Sequence, residues 1–162
     1  MTMPTERTVT ERKLTHSTFE LEREYKAPVA KVFQAFADPA LKSKWFDGPE
    51  PWRPIESAMD FREGGREVNE GQFGEGGPVS RFDGTYHEIV ENLRIVYSYE
   101  MRVDGVRLSV SLTSIVLTPT DAGTRLTLTE QGVYFDDVEN PELRVEGMRE
   151  ALEMIAPVVE AA

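Results

Sequence analysis

Residues 18–26 alternate apolar and polar side chains, with Phe19, Leu21 and Tyr25 on one face. That is the period of a half-buried strand, and Ala27-Pro28 closes it. Val29, Val32, Phe33 and Phe36 then recur at helical spacing behind Pro28, a residue suited to a helix start. Asp38-Pro39 restarts the chain as a second short helix, with Asp38 as its N-cap and Leu41, Trp45 and Phe46 as its apolar face. Residues 48–57 hold Pro49, Pro51 and Pro54 and read as irregular, although Trp52 and Ile55 are apolar for an exposed loop. A short strand is expected at 59–61, a tight turn at 63–66, an outgoing strand at 68–73 and a flexible glycine-rich tip at 74–78.

The second half is a run of four β-rich stretches, 81–90, 94–103, 106–118 and 124–133. The Asp104-Gly105 pair between two of them is a strong short hairpin signal. Ile95, Tyr97, Tyr99 and Met101 fall on one face, and Val106, Leu108, Val110 and Leu112 do the same in the next strand, predicting a meander with one face buried. After Asn140-Pro141, residues Leu143, Met148, Ala151, Leu152, Ile155 and Val159 outline the longest amphipathic helix, with Pro157 bending or ending it. The order predicts an α+β fold: a curved antiparallel sheet of about six or seven strands around a long C-terminal helix, with two short helices after the first strand. Residues 1–16 read as a flexible tail and 17–162 as one domain.

Composition narrows the function more by exclusion than by assignment. The 162 residues are 40% hydrophobic and 29% charged, which suits a single folded domain. No apolar run approaches the roughly 20 residues of a membrane span, and the first residues lack a signal-peptide core, so a cytoplasmic protein without membrane insertion is expected. With no cysteine, disulfides, thiolate catalysis and cysteine zinc sites are out. Lys and Arg total 18 against 29 Asp and Glu, and the net charge of −11 opposes nucleic-acid binding. His16 in the tail and His87 in a strand are too far apart to nominate a metal site, and no nucleotide or nucleophile motif is present, so no cofactor is expected.

Several segments together resemble the START-like, or SRPBCC, superfamily with its helix-grip (Bet v-like) fold. They resemble in particular the branch of activator of heat-shock protein 90 ATPase-like proteins that often carries a polyketide cyclase label. Ala27-Pro28 followed by Val32-Phe33, Phe36, Asp38-Pro39 and Lys44-Trp45-Phe46 is similar to the family's first third. The runs Asp60-Phe61-Arg62-Glu63-Gly64-Gly65-Arg66, Phe82-Asp83-Gly84-Thr85-Tyr86, Arg94-Ile95-Val96-Tyr97-Ser98-Tyr99 and Gly123-Thr124-Arg125-Leu126-Thr127-Leu128 continue it in order. The resemblance spans roughly residues 17–162. It implies a deep cavity between sheet and C-terminal helix, in a family whose members bind lipids, hormones or polyketides, sometimes transform them, or act as cochaperones.

The leading expectation is therefore a carrier of a small hydrophobic ligand, contacted by Phe33, Phe36, Trp45, Tyr86, Tyr97, Tyr99, Met101, Leu112, Met148, Leu152 and Ile155, with Trp52 and Ile55 as gate residues. A second reading is a cyclase- or dehydratase-type enzyme. Glu130 continues the inward face of Leu126 and Leu128 and would point to the cavity mouth, where burial raises a carboxyl pKa. Tyr86 or Tyr97 would share the proton transfer, and Glu70 and Glu88 could reach the same space. If Gly84, Tyr86 and Glu88 face the cavity, His87 faces outward and is structural. A third reading is a chaperone-accessory or stress-response interaction protein, and a homodimer is left open.

Overall fold

The computed structural model describes residues 12–161. Its elements run β1 (Leu14–Tyr25), α1 (Val29–Ala37), α2 (Pro39–Phe46), β2 (Trp52–Met59), β3 (Arg66–Phe73), β4 (Val79–Val90), β5 (Arg94–Val103), β6 (Val106–Pro119), β7 (Thr124–Phe135) and α3 (Pro141–Val159). The seven strands form one antiparallel sheet in the order β1-β7-β6-β5-β4-β3-β2. Strands β2 to β7 are thus a plain meander. The exception is β1, which pairs with β7 from Leu14↔Phe135 to Tyr25↔Thr124. The chain then crosses by α1 and α2 to start β2 at the opposite edge. This is the expected α+β helix-grip architecture, with α3 packed on the inner face of the curved sheet.

Local chemistry accounts for the joints. Asp38 caps α2 by accepting from the Ala40 backbone N–H at 2.9 Å, and Asn140 caps α3 by accepting from Glu142 at 3.0 Å, each followed by a proline at the first helical position. Asp104 and Gly105 both have positive φ, 51° and 82°, as the two-residue turn between β5 and β6 requires. Pro157 sits near the end of α3, where the helix runs only two residues further to Val159. Tyr25 donates from its hydroxyl to the Leu152 carbonyl at 2.6 Å, fastening β1 to α3.

The proline-bearing stretch is irregular only through Pro51: β2 begins at Trp52 and pairs with β3 along its length, apart from a register shift between Pro54 and Glu56. An edge strand tolerates proline at such a bulge because no second neighbour needs its N–H. Strand β1 likewise begins at Leu14, so His16 is a strand residue paired with Val133, not part of a tail; residues 1–11 of the expected tail lie outside the described residues.

Strand β6 departs furthest from its pattern. Its inward residues are Ser109, Ser111, Thr113, Ile115 and Leu117, all 2% exposed or less. Val110 and Leu112, the apolar alternation of the sequence, stand on the outer face at 37% and 44% exposure. A register shift at Met101/Arg102 separates them from Leu108, which is buried. Leu112 is therefore not a cavity contact: it sits one pleat away from the interior residues it was grouped with.

Candidate functional site

The interior has two halves, divided across β6 and β7. On one side Ile115 pairs with Leu128 and Leu117 with Leu126. They pack with Val32, Phe33, Phe36, Trp45, Leu152, Ile155 and Val159 in a closed apolar core. On the other side the paired inward residues are Thr113 with Glu130, Ser111 with Gly132 and Ser109 with Tyr134. Strand alternation sends all of these to the same face, so the change from apolar to polar occurs within one strand and one register step.

Glu130 is wholly buried. Thr113 Oγ1 donates to its Oε1 and Tyr99 Oη to its Oε2, both at 2.8 Å. Arg144, from the first turns of α3, lies 3.7 Å from the same carboxylate and donates from Nη1 to Tyr99 Oη at 3.0 Å. Its Nη2 donates to Ser109 Oγ at 2.8 Å and to Glu139 Oε1 at 2.7 Å, while Nε reaches Glu139 Oε2 at 3.1 Å. The guanidinium is thus clamped bidentately by Glu139, the strongest geometry for such a pair. Burial pushes the Glu130 carboxyl above its ordinary range, against the opposing pull of the Tyr99 and Thr113 hydrogen bonds and the Arg144 charge. Burial also holds Tyr99 well above an ordinary phenol, so it stays protonated at neutral pH.

A second buried ion pair lies across the sheet. Lys42 on α2 donates to Glu67 Oε1 on β3 at 2.7 Å, with both side chains under 9% exposed. The Tyr86 hydroxyl donates to the same oxygen, and the Lys42 ammonium lies 4.4 Å from the Phe46 ring centroid. Burial, then the Glu67 charge, raises the Tyr86 pKa far above its usual value. Beside this pair Asn69 donates from Nδ2 to Asp47 Oδ1 at 3.1 Å, tying β3 to the end of α2.

Between the two ion pairs opens a pocket of about 220 Å³. Trp52, Phe46, Phe73 and Phe82 supply aromatic walls, Met101 and Met148 thioether ones, and Tyr99, Asn69, Ser80 and Arg144 its polar groups. Gly48 completes the rim. The Trp52 indole lies against bare backbone: a Cβ on Gly71 would stand 2.0 Å from Trp52 Cε2. Within the wall, Phe82 stacks on Tyr99 with centroids 4.8 Å apart, and both approach Tyr97.

The expected contacts divide accordingly. Tyr99, Met101 and Met148 line the pocket, and Trp52 joins them as a wall. Phe33, Phe36, Trp45, Tyr86, Leu152 and Ile155 belong to the closed core instead, with Tyr97 packed against it. Ile55 is exposed on the edge strand, away from the pocket. Glu130 faces inward as its period requires, but Tyr99 stands between it and the pocket, so it does not point into the mouth.

Glu70 faces outward toward Arg81 at 3.5 Å, and its inward neighbours are Glu67 and Asn69. Glu88 is turned out by a register shift after Tyr86 and pairs with Arg94 at 2.6 Å. His87 is exposed and shares a hydrogen bond with Ser98 Oγ. Among the described residues no group of three or more His, Asp or Glu is placed to hold a metal ion, and no helix is long and apolar enough to cross a membrane.

Sequence reasoning missed Arg144, Lys42, Glu67, Asn69 and Glu139. A signal existed for three of them. Arg144 is one helical turn before Met148, Lys42 three residues before Trp45, and Asn69 shares its strand face with Gly71, the seat of Trp52.

Residues 26–160 match the family described as Activator of Hsp90 ATPase homolog 1-like protein. Among solved structures, a Rhizobium loti protein is 43% identical over 90% of this chain and 99% of its own, with a TM-score of 0.83. An uncharacterized protein from Rhizobium leguminosarum is 34% identical over 93% and 99%, with a TM-score of 0.87. A Chromobacterium violaceum protein is 31% identical over 90% and 99%, at 0.73. No curated protein matches the chain.

Proposed function

The chain belongs to the Activator of Hsp90 ATPase homolog 1-like family, and on that premise we propose that it binds a small, mostly apolar molecule in the pocket between Trp52 and α3. One observation carries this reading. The polar half of the interior is anchored by two buried ion pairs, each costly to desolvate, while the aromatic space between them is left open. A core selected only for stability would fill that space with side chains, as the apolar half of the same sheet does. An apolar concavity with a few fixed polar groups has the character of a ligand site. The lack of cysteine and the acidic surface fit an action in the cytoplasm.

Native mass spectrometry of the purified protein, followed by solvent extraction, tests the reading. A retained apolar molecule is expected, and Met148→Trp, which pushes an indole into the pocket, should release it. A protein that carries nothing and also binds no member of a panel of small hydrophobic compounds would sink the proposal.

A second reading rests on the raised pKa of Glu130 and its hydrogen bond to Tyr99, which touches the pocket. A proton held by Glu130 could reach a ligand only by relay through the Tyr99 hydroxyl. That hydroxyl already donates to Glu130 and accepts from Arg144. Binding without reaction is therefore the better-supported reading. Turnover of a bound ligand that disappears in Glu130→Gln while affinity persists would reverse the order.

A further inference from the structure

The sheet has a second face, and the pattern on it is unlike the rest of the surface. Strands β6 and β7 turn Ser109, Ser111, Thr113 and Glu130 inward, so their alternate residues point away from α3. On β6 these are Val110, Leu112, Ser114 and Val116, and on β7 they are threonine at 127 and 129, glutamine at 131 and valine at 133. None carries a charge, in a chain that is 29% charged. Val110 and Leu112 stand exposed among them. Among the described residues no helix covers this face: Phe36, Trp45 and Ile155, one from each helix, are buried with the inward Ile115 and Leu128.

The charges stand at the rim. Glu20, Glu22 and Glu24 line the outward side of β1, next to β7, and Arg94 and Glu100 the outward side of β5, next to β6. A basic partner would be drawn to the acidic row on β1, and an acidic one repelled by the net charge of −11; neither gains from the neutral strands between. A second copy does gain, because two chains of that charge repel each other least where both contact surfaces are neutral.

A twofold axis along the strands, between β6 and β7, makes the face complementary to itself. It lays β6 of one copy on β7 of its partner, and β1 on the partner's β5. Glu22, Thr127, Val116 and Arg94 form one row across the sheet, so Glu22 then faces Arg94 of the partner subunit and not a second acidic row. Four strands about 4.8 Å apart and the run from Val110 to Val116 at about 3.4 Å per residue give roughly 450 Å² per copy. The two copies together bury about 900 Å², below the roughly 1,200 Å² at which stable complexes begin, so the association is reversible and weak.

We infer that the outer face of β6 and β7 is a self-association surface, on which two copies of this chain meet sheet to sheet in a weak symmetric dimer. This face lies on the side of the sheet opposite the pocket, and its role does not depend on the pocket reading.

Sedimentation equilibrium of the full chain tests the inference. Between about 10 µM and 1 mM the weight-average mass should climb from the monomer's toward twice that value, as a weak interface of this size requires. Leu112→Glu, which puts a carboxylate of each copy into the neutral face, should hold the mass at the monomer's throughout. Its side chain is exposed, so the fold is expected to survive. Leu143→Glu, which changes charge equally but at an exposed position of α3, should associate as the parent does. A parent that stays monomeric at about 1 mM would overturn the inference and leave the face to a partner of other sequence. Association that survives Leu112→Glu would overturn it as well. So would association lost equally in both variants, since that loss would follow from net charge and not from the face.

Discussion

The two halves of the interior share their strands and their helix and differ in what they do with space. Toward Ile115, Leu126, Leu128 and Ile155 the inward side chains are apolar but for Thr124, whose hydroxyl is spent on the Ala27 carbonyl, and the side chains pack against one another. Toward Ser109, Thr113, Glu130 and Arg144 the inward side chains are polar and tied to one another. The pocket opens beside this second half. Apolar side chains adapt to one another by sliding and repacking, so they close. A hydrogen-bonded network holds its members at fixed distances, so it can leave a gap standing. The comparison explains why a fold of this size would retain buried charges that cost stability: they keep a wall upright.

The comparison breaks in an ordered series of experiments. The largest effect is expected from Lys42→Met. It leaves Glu67 buried without its cation and should cost about 3–5 kcal/mol in chemical denaturation, most of it recovered in the double variant Lys42→Met/Glu67→Leu. Failure of the second change to rescue would mean that Lys42 acts by packing alone.

Ile155→Ala, in the closed half, should cost about 2–5 kcal/mol, because the site is fully buried and its neighbours are already close-packed. Met148→Trp, at the border of the pocket, should change stability by less than about 1 kcal/mol while abolishing ligand uptake. Equal costs for these two substitutions would show that the pocket is part of the core.

The subtlest test is pH. The folded-state pKa of Glu130 is raised by burial, so the folded protein holds that proton more tightly than the unfolded chain does. The contribution favours folding below the ordinary glutamate range and is lost as pH rises through the raised value. The stability of the parent protein should therefore fall relative to Glu130→Gln across that window. Asp47 is shifted the same way, mainly by burial, but it is present in both proteins and cancels in the difference. A flat difference would mean that Arg144 keeps Glu130 ionised throughout.

The same division decides how much could be read from the chain. Where inward residues are apolar, the period-two and helical patterns identify them, and the meander, the caps at Asp38 and Asn140 and the Asp104-Gly105 turn follow from local chemistry. Where inward residues are polar, the pattern points the wrong way. In β6 Ser109, Ser111 and Thr113 face in, while Val110 and Leu112 face out, so hydrophobicity assigns the faces in reverse along that part of the strand. Glu130 was legible because Leu126 and Leu128 fix the parity of its strand. Glu88 was not, because a bulge after Tyr86 changes parity within the strand. Lys42 and Arg144 were passed over since charged residues on amphipathic helices usually face water. What makes their burial tolerable is a partner that the helical pattern does not display: Glu67 on β3 for Lys42, and for Arg144 the Glu139 clamp just before the helix with Glu130 of β7 beyond it.

The sheet order also bears on how the chain comes together in time. Every strand from β3 to β7 can pair with the one before it as soon as both exist, and such local hairpins form quickly. Strand β1 has to wait, because its neighbour is β7 and the contact between Lys13 and Asp136 spans 123 positions. Its unpaired edge stays open through synthesis of the whole meander, and its closure brings with it the Tyr25 hydrogen bond that seats α3. Docking of the helix, and with it completion of the pocket wall at Arg144 and Met148, is expected to follow that closure. A chain stalled before that step would expose the inner face of the sheet and the free edges of β1 and β7 together, the combination most prone to aggregation.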